Sequence, residues 1–356
     1  MTGRTSSLAR AGFSLALALC VTLAIVAAAG APPLTTLAVM LDGGLGSGQA
    51  VLRTLSALVP LLLCGAALCV TFAANLWNIG VEGQITLGAV CCVWFLRDLG
   101  LAGLVPPFLA VPGALAASMV GGAAWALLSG VLRTHGRVHE IFSGLGLNFV
   151  AMGVSLWLIL GPWKRPGMAS MSGTEPLPAA LWLPALGGRP MSLWGLILAV
   201  AAFVLVAWVL NRTFFGLTLS AVRQNAMAAE RLGLRPKRRM LAAMALGGAL
   251  AGLAGGVLVA GLYHRLIPSI SGNYGYTAIM AVLLASGSLR FLPLACLFFA
   301  VLTVGSIQLP LALSLDSSLA GVVQGVLVLT LFAARRLWPA GNTGSTGGTR
   351  NRGSAA

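Results

Sequence analysis

The chain has 356 residues, of which 58% are hydrophobic and 8% charged, and its mean hydropathy is +0.95. A soluble domain carries about 25% charged residues, so this composition excludes a water-facing globule and marks an integral membrane protein. With only two lysines, Lys164 and Lys237, and no G-x-x-x-x-G-K-[ST] motif, the chain holds no Walker-type ATP site. The net charge of +15 is spread over short segments between apolar runs, which reads as topology control rather than nucleic-acid binding.

A membrane-spanning helix needs roughly 20 mainly apolar residues. On that rule the chain offers ten candidate spans, at about 12–30, 55–74, 83–97, 105–128, 140–161, 192–210, 240–262, 275–289, 291–309 and 317–334. The third, eighth and ninth are short or interrupted by glycine. Residues 1–11 form the N-terminus, 12–339 a transmembrane domain, and the Gly/Ser/Thr-rich tail 340–356 is expected to be disordered. With the N-terminus inside, 16 basic residues fall on the cytoplasmic side and 6 outside, so the positive-inside rule puts both termini in the cytoplasm. Arg4, Arg10 and the small residues at Ala27–Ala31 imitate a cleavable signal peptide, but retaining the first span keeps the number of spans even.

Polar residues concentrate in three places. The first is Asn75–Gln84 (NLWNIGVEGQ), between two apolar runs, with Glu82 one of seven acids in the chain. At mid-membrane depth a carboxylate costs about 2.5–3.5 kcal/mol, so Glu82 there faces a cavity or a partner; at the membrane surface it is merely a solvated turn residue. The second is Tyr263–Tyr276 (YHRLIPSISGNYGY). Each follows a span rich in small residues, and paired Gly/Pro-interrupted segments point to a transport site built from inverted halves. The third is the loop 211–239, with seven basic residues and one acid, Glu230; Ala226–Leu234 in it reads as a short helix ended near Gly233 and Pro236. That helix suits docking to a partner protein, and the charge alone equally suits anionic lipid.

The remaining chemistry is sparse. His135 and His139 sit i, i+4 beside Glu140, a spacing that suits a metal on a helix, but they lie at a loop-to-span boundary without H-E-x-x-H order. The six cysteines lie in apolar runs with no C-x-x-C pair and read as small apolar residues. No G-x-S-x-G motif and no cluster of membrane acids is present.

These residues resemble a known family. Asn75–Ala89 (NLWNIGVEGQITLGA) is similar to the F-N-I-G-x-E-G-Q signature of bacterial ABC importer permeases for purine nucleosides, relatives of the ribose and simple-sugar permeases. Val138–Ala151 (VHEIFSGLGLNFVA) resembles their x-N-E-x-I-S-T-x-M-L-N-x-I-A segment, and Gly216–Leu234 resembles their G-x-x-L-R-A-V-G-x-N-x-x-A-A-x-x-x-G-I loop. The departures are Trp77 for Phe, His139 for Asn, Gly144-Leu145-Gly146 for a Thr-containing run, and Met227 where the coupling pattern has Glu.

The resemblance implies an all-α permease subunit of about ten transmembrane helices in two pseudo-inverted halves, in the bacterial inner membrane. It implies two ABC ATPase subunits that hold ATP and Mg, a second permease chain completing a heterodimer, a periplasmic or lipid-anchored substrate-binding protein, and no cofactor or catalytic residue on this chain. The expected substrate pathway is Asn75, Trp77, Asn78, Glu82, Gln84, Asn148, Asn273, Tyr274 and Tyr276. The expected ATPase-coupling residues are Arg223, Asn225, Ala228, Ala229 and Gly233. A monosaccharide is the alternative substrate, and a secondary transporter or channel the alternative machine.

Overall fold

In a computed structural model, residues 32–165, 173–184, 192–313 and 319–337 are described, with scattered positions between 20 and 30 and at 167. Much of the first expected span, about half of the loop 166–191, and the expected disordered tail lie outside these residues. Among the described residues the ordered elements are helices: α1 (Pro33–Leu45), α2 (Gly48–Ala73), α3 (Val81–Trp94), α4 (Pro107–Thr134), α5 (Glu140–Leu160), α6 (Leu193–Arg212), α7 (Phe214–Gln224), α8 (Ala226–Arg231), α9 (Pro236–Leu258), α10 (Tyr274–Leu284), α11 (Leu292–Gly305), α12 (Leu309–Leu313) and α13 (Leu319–Leu337).

The helices start where the local chemistry satisfies their free N–H groups. The Ser47 hydroxyl accepts from Ala50 N–H at the head of α2, Ser192 caps α6, Thr213 caps α7 and Asn225 caps α8. Proline opens α1, α4 and α9, where its missing N–H is not needed.

Among the described residues six helices are long and apolar enough to cross a membrane, and they match six of the expected ten spans. The third and eighth expected spans are instead short: α3 runs 14 residues before passing into a π-helical turn at Phe95–Gly100, and α10 has 11 residues. The tenth coincides with α13, whose apolar stretch is Gly321–Thr330. The structure also has a helix the sequence reading left as a connection, α1, and the loop 211–239 is mostly helical, with α7 preceding the expected short helix.

Burial separates centre from rim. In α2 and α9, 78% of the most apolar stretch is buried within the subunit, against 17% in α6. α9 packs on α2, α3 and α4. It does so through glycine: a Cβ at Gly252 would sit 3.0 Å from the Gly122 Cα, and one at Gly255 only 2.7 Å from the Ala89 nitrogen. Backbones approach this closely only without side chains, the usual device at helix contacts in lipid. α2 and α9 run antiparallel, with Gly247 against Ala67 at one level and Val257–Leu258 beside Val59–Pro60 at another. α2 also packs on α10, and α9 on α3. Each long helix thus carries the short helix of the other pair, the exchange that inverted halves require.

Candidate transport site

The two interruptions follow α2 and α9. After α2 the chain turns at Asn75, whose φ is +58°, and α3 begins at Val81. This start lies inside the bundle: a Cβ at Gly83 would sit 2.9 Å from the Trp125 indole nitrogen of α4 and 3.0 Å from the Asn148 Oδ1 of α5. After α9 and its π-helical end at Val259–Tyr263, residues 264–273 are irregular, with His264, Ser269 and Asn273 all at left-handed φ. α10 then begins against the head of α3.

Glu82 joins the two. Its side chain is 5% exposed, and its Oε1 accepts from the Tyr276 N–H at 3.0 Å, with the Gly275 N–H and Ser271 hydroxyl also bonded to the carboxylate. The carboxylate therefore lies at the first turns of both α3 and α10, where unpaired N–H groups favour negative charge. Asn148 holds the same joint from α5. Its Oδ1 accepts from Gly83 N–H at 2.8 Å, while its Nδ2 donates to the Ile79 carbonyl at 2.9 Å and the Tyr276 hydroxyl at 3.2 Å. Asn78 and Gln84 pair reciprocally at 2.9 and 2.8 Å. These four side chains are buried, and their polar atoms meet protein partners.

The other expected pathway residues are more open. Trp77 is 43% exposed beside Phe72, with ring centroids 5.2 Å apart. Asn75 and Asn273 are exposed, Tyr276 is just past the limit of exposure, and Tyr274 is half-buried. Asn75 and Trp77 line a cavity of about 400 Å³ that Arg223 also lines. The expected coupling helix is present as α8: Asn225 Oδ1 accepts from Ala228 N–H at 3.0 Å, and Gly233 ends the segment at φ +81°. Ala228 is exposed, but Ala229 is 2% exposed and turned inward. The two alanines do not share an outward face; Met227, Ala228 and Leu232 form it.

Two elements escaped the sequence reading. Glu140, noticed only as a neighbour of two histidines, pairs with Arg133 at 2.8 Å and reaches the Trp77 N–H at 3.5 Å. Its rarity as an acid was the available signal. The segment 174–183 is bonded to the end of α9 and the residues after it, with Leu183 N–H on the Ala260 carbonyl, Leu177 N–H on the His264 carbonyl and Thr174 on Leu266. Backbone pairing of that kind leaves no sequence mark. His139 caps α5 through Nδ1, which accepts from the Ile141 N–H, and no group of three His, Cys, Asp or Glu lies together among the described residues.

A helical bundle crossing the membrane, with two interrupted helices joined head to head in its interior, defines a polytopic permease. The chain belongs to the family described as branched-chain amino acid transport system, permease component, which matches residues 50–332. It is an ABC-type transport subunit, not an enzyme. It is 33% identical over 312 residues to the glucose ABC transporter permease protein TsgB13 of Haloferax volcanii, covering 85% of this chain and 81% of the relative. It is 25% identical over 293 residues to the guanosine ABC transporter permease protein NupP of Bacillus subtilis, covering 81% and 82%. It is 28% identical over 270 residues to the nucleoside ABC transporter permease protein NupB of Lactococcus lactis, covering 74% and 73%.

Proposed function

We propose that this subunit moves purine nucleosides inward across the cytoplasmic membrane, driven by ATP hydrolysis on separate ATPase chains that hold the ATP and Mg. A second permease chain completes the pore, and a periplasmic or lipid-anchored binding protein delivers the substrate. The observation that carries the reading is the joint at Glu82. Two interrupted helices that meet head to head at one carboxylate form a joint inside the bundle, and a joint between halves is where rocking opens one side or the other. Nucleoside rather than glucose is favoured by the motif around Asn75–Gln84 and by the nucleoside and guanosine permeases among the relatives.

Both termini are cytoplasmic on the charge balance, which places α7 and α8 on the ATPase side. In this reading α8 docks through Met227, Ala228 and Leu232, and Arg223, Asn225 and Gly233 shape the segment.

The test is reconstitution with the ATPase, second permease and binding protein in liposomes. Guanosine uptake that requires ATP is expected, and Ala228→Trp should abolish it while this chain stays in the membrane without its ATPase. Met227→Cys should react with an impermeant thiol reagent only after cells are opened. Uphill uptake by this chain without an ATPase, or labelling of Met227→Cys from outside, overturns the reading.

A further inference from the structure

The expected pathway residues divide sharply. Asn78, Glu82, Gln84 and Asn148 bond to protein groups inside the joint, whereas Asn75 and Trp77 face the cavity beneath it. That cavity of about 400 Å³ lies between the end of α2, the end of α10 and the end of α7. There candidate pathway residues and a candidate coupling residue, Arg223, line the same space.

We propose that this cavity holds a 6-oxopurine nucleoside, with Trp77 stacking on the base and Arg223 reading its O6 and N7 edge. The inference rests on the nucleoside reading above and goes beyond it by naming which purines are taken and by what. The volume lies within the range of small-molecule sites, and the wall combines apolar and polar side chains as such sites do. Trp77 presents a large exposed ring, backed by Phe72, and a flat aromatic face suits a heterocycle. Arg223 is exposed, and no carboxylate lies within ion-pair distance of it among the described residues. A guanidinium only donates. Guanine and hypoxanthine offer it two adjacent acceptors, O6 and N7, whereas adenine puts an amino donor in place of O6. The Asn211 Nδ2 donates to the Ala207 carbonyl at 2.8 Å, which leaves its side-chain oxygen to accept from the base or ribose. Arg223 stands two residues before Asn225, the cap of α8, so the group that reads the base is carried by the segment that would contact the ATPase.

The assembled permease pair with its ATPase, in nanodiscs and without the binding protein, is equilibrated with tritiated guanosine, adenosine or glucose. Guanosine is expected to bind about tenfold tighter than adenosine, the scale of discrimination a guanidinium fork provides between oxo and amino edges. Arg223→Gln should remove that preference and leave adenosine unchanged, Arg223→Lys should restore part of it, and Trp77→Ala should weaken both purines alike. Should Arg223→Gln shed the ATPase, Trp77→Phe against Trp77→Ala carries the test from outside α7 and α8, with guanosine binding kept by Phe and lost with Ala. Equal affinity for the two purines, or guanosine binding untouched by these variants, overturns this assignment while a nucleoside importer stands. Glucose binding with neither purine bound defeats the nucleoside reading itself.

Discussion

The two interruptions meet at one joint but are stabilised by different parts of the chain. Residues 74–80 are closed by side chains: the Asn78–Gln84 pair, Asn148 reaching in from α5, and Glu82 reaching across to α10. Residues 264–273 are shaped by backbone, with His264, Ser269, Gly272 and Asn273 at left-handed φ and the segment 174–183 bonded to the end of α9 and the residues after it. The first should therefore be sensitive to the loss of a polar group, and the second to the identity of residues that must hold positive φ.

The largest effect is expected at Glu82. Glu82→Leu leaves the N–H groups at the head of α10 without an acceptor inside the bundle, a loss on the order of 3 kcal/mol or more. Uptake and the amount of folded protein seen by fluorescence-detected size exclusion should both collapse. Glu82→Gln keeps an accepting oxygen, so abundance should stay near normal while uptake falls. Normal uptake in Glu82→Leu would remove the joint from the mechanism.

Asn148→Ala comes next, because it withdraws contacts to Gly83, Ile79 and Tyr276 together. A destabilisation of about 2 kcal/mol is expected in thermal unfolding of the detergent-solubilised complex. A smaller term belongs to the amide pair: a double-mutant cycle with Asn78→Ala and Gln84→Ala should give a coupling of about 1 kcal/mol. Additive single effects would mean that the two amides do not cooperate.

The second interruption sharpens the contrast. Asn273→Gly should be nearly neutral there, since both residues accept φ +61°. Asn273→Val should cost about 1–2 kcal/mol, since a β-branched side chain crowds its own backbone in that conformation. If Asn273→Ala, Asn273→Val and Asn273→Gly melt together, the left-handed turn is not what holds this segment.

How much of this was readable beforehand follows the same division. Glu82, Asn78 and Gly83 stood out as polar or small residues in apolar surroundings, so the first interruption was visible. The bond that Glu82 accepts from the Tyr276 N–H was not, because that partner is a backbone group 194 residues away and a peptide group has no signature. Six of the ten expected spans appear as long apolar helices among the described residues, and hydropathy cannot tell an 11-residue helix that starts inside a bundle, such as α10, from one that crosses it. The helix at Ala226–Arg231 was legible from its helix-forming run and the Gly233 and Pro236 that end it, but adjacent residues on a helix point about 100° apart. Ala228 and Ala229 could not share a face, and the structure buries the second. Segment 174–183 escaped because its bonds to α9 and the turn after it are almost entirely main-chain.

The glycine contacts of α9 have a mechanical consequence. Side chains at a helix interface can change rotamer and absorb small displacements, but backbone lying directly on backbone has no such slack. α9 starts at Pro236, just beyond α8, and ends where Ala260 and His264 are hydrogen-bonded to the segment 174–183. A shift applied at Pro236 would thus travel along a stiff rod with α3 and α4 drawn along, and reach the opposite face of the membrane with little lost on the way. The far end of α9 is then a place where a displacement of α8 can be felt by the segment 174–183.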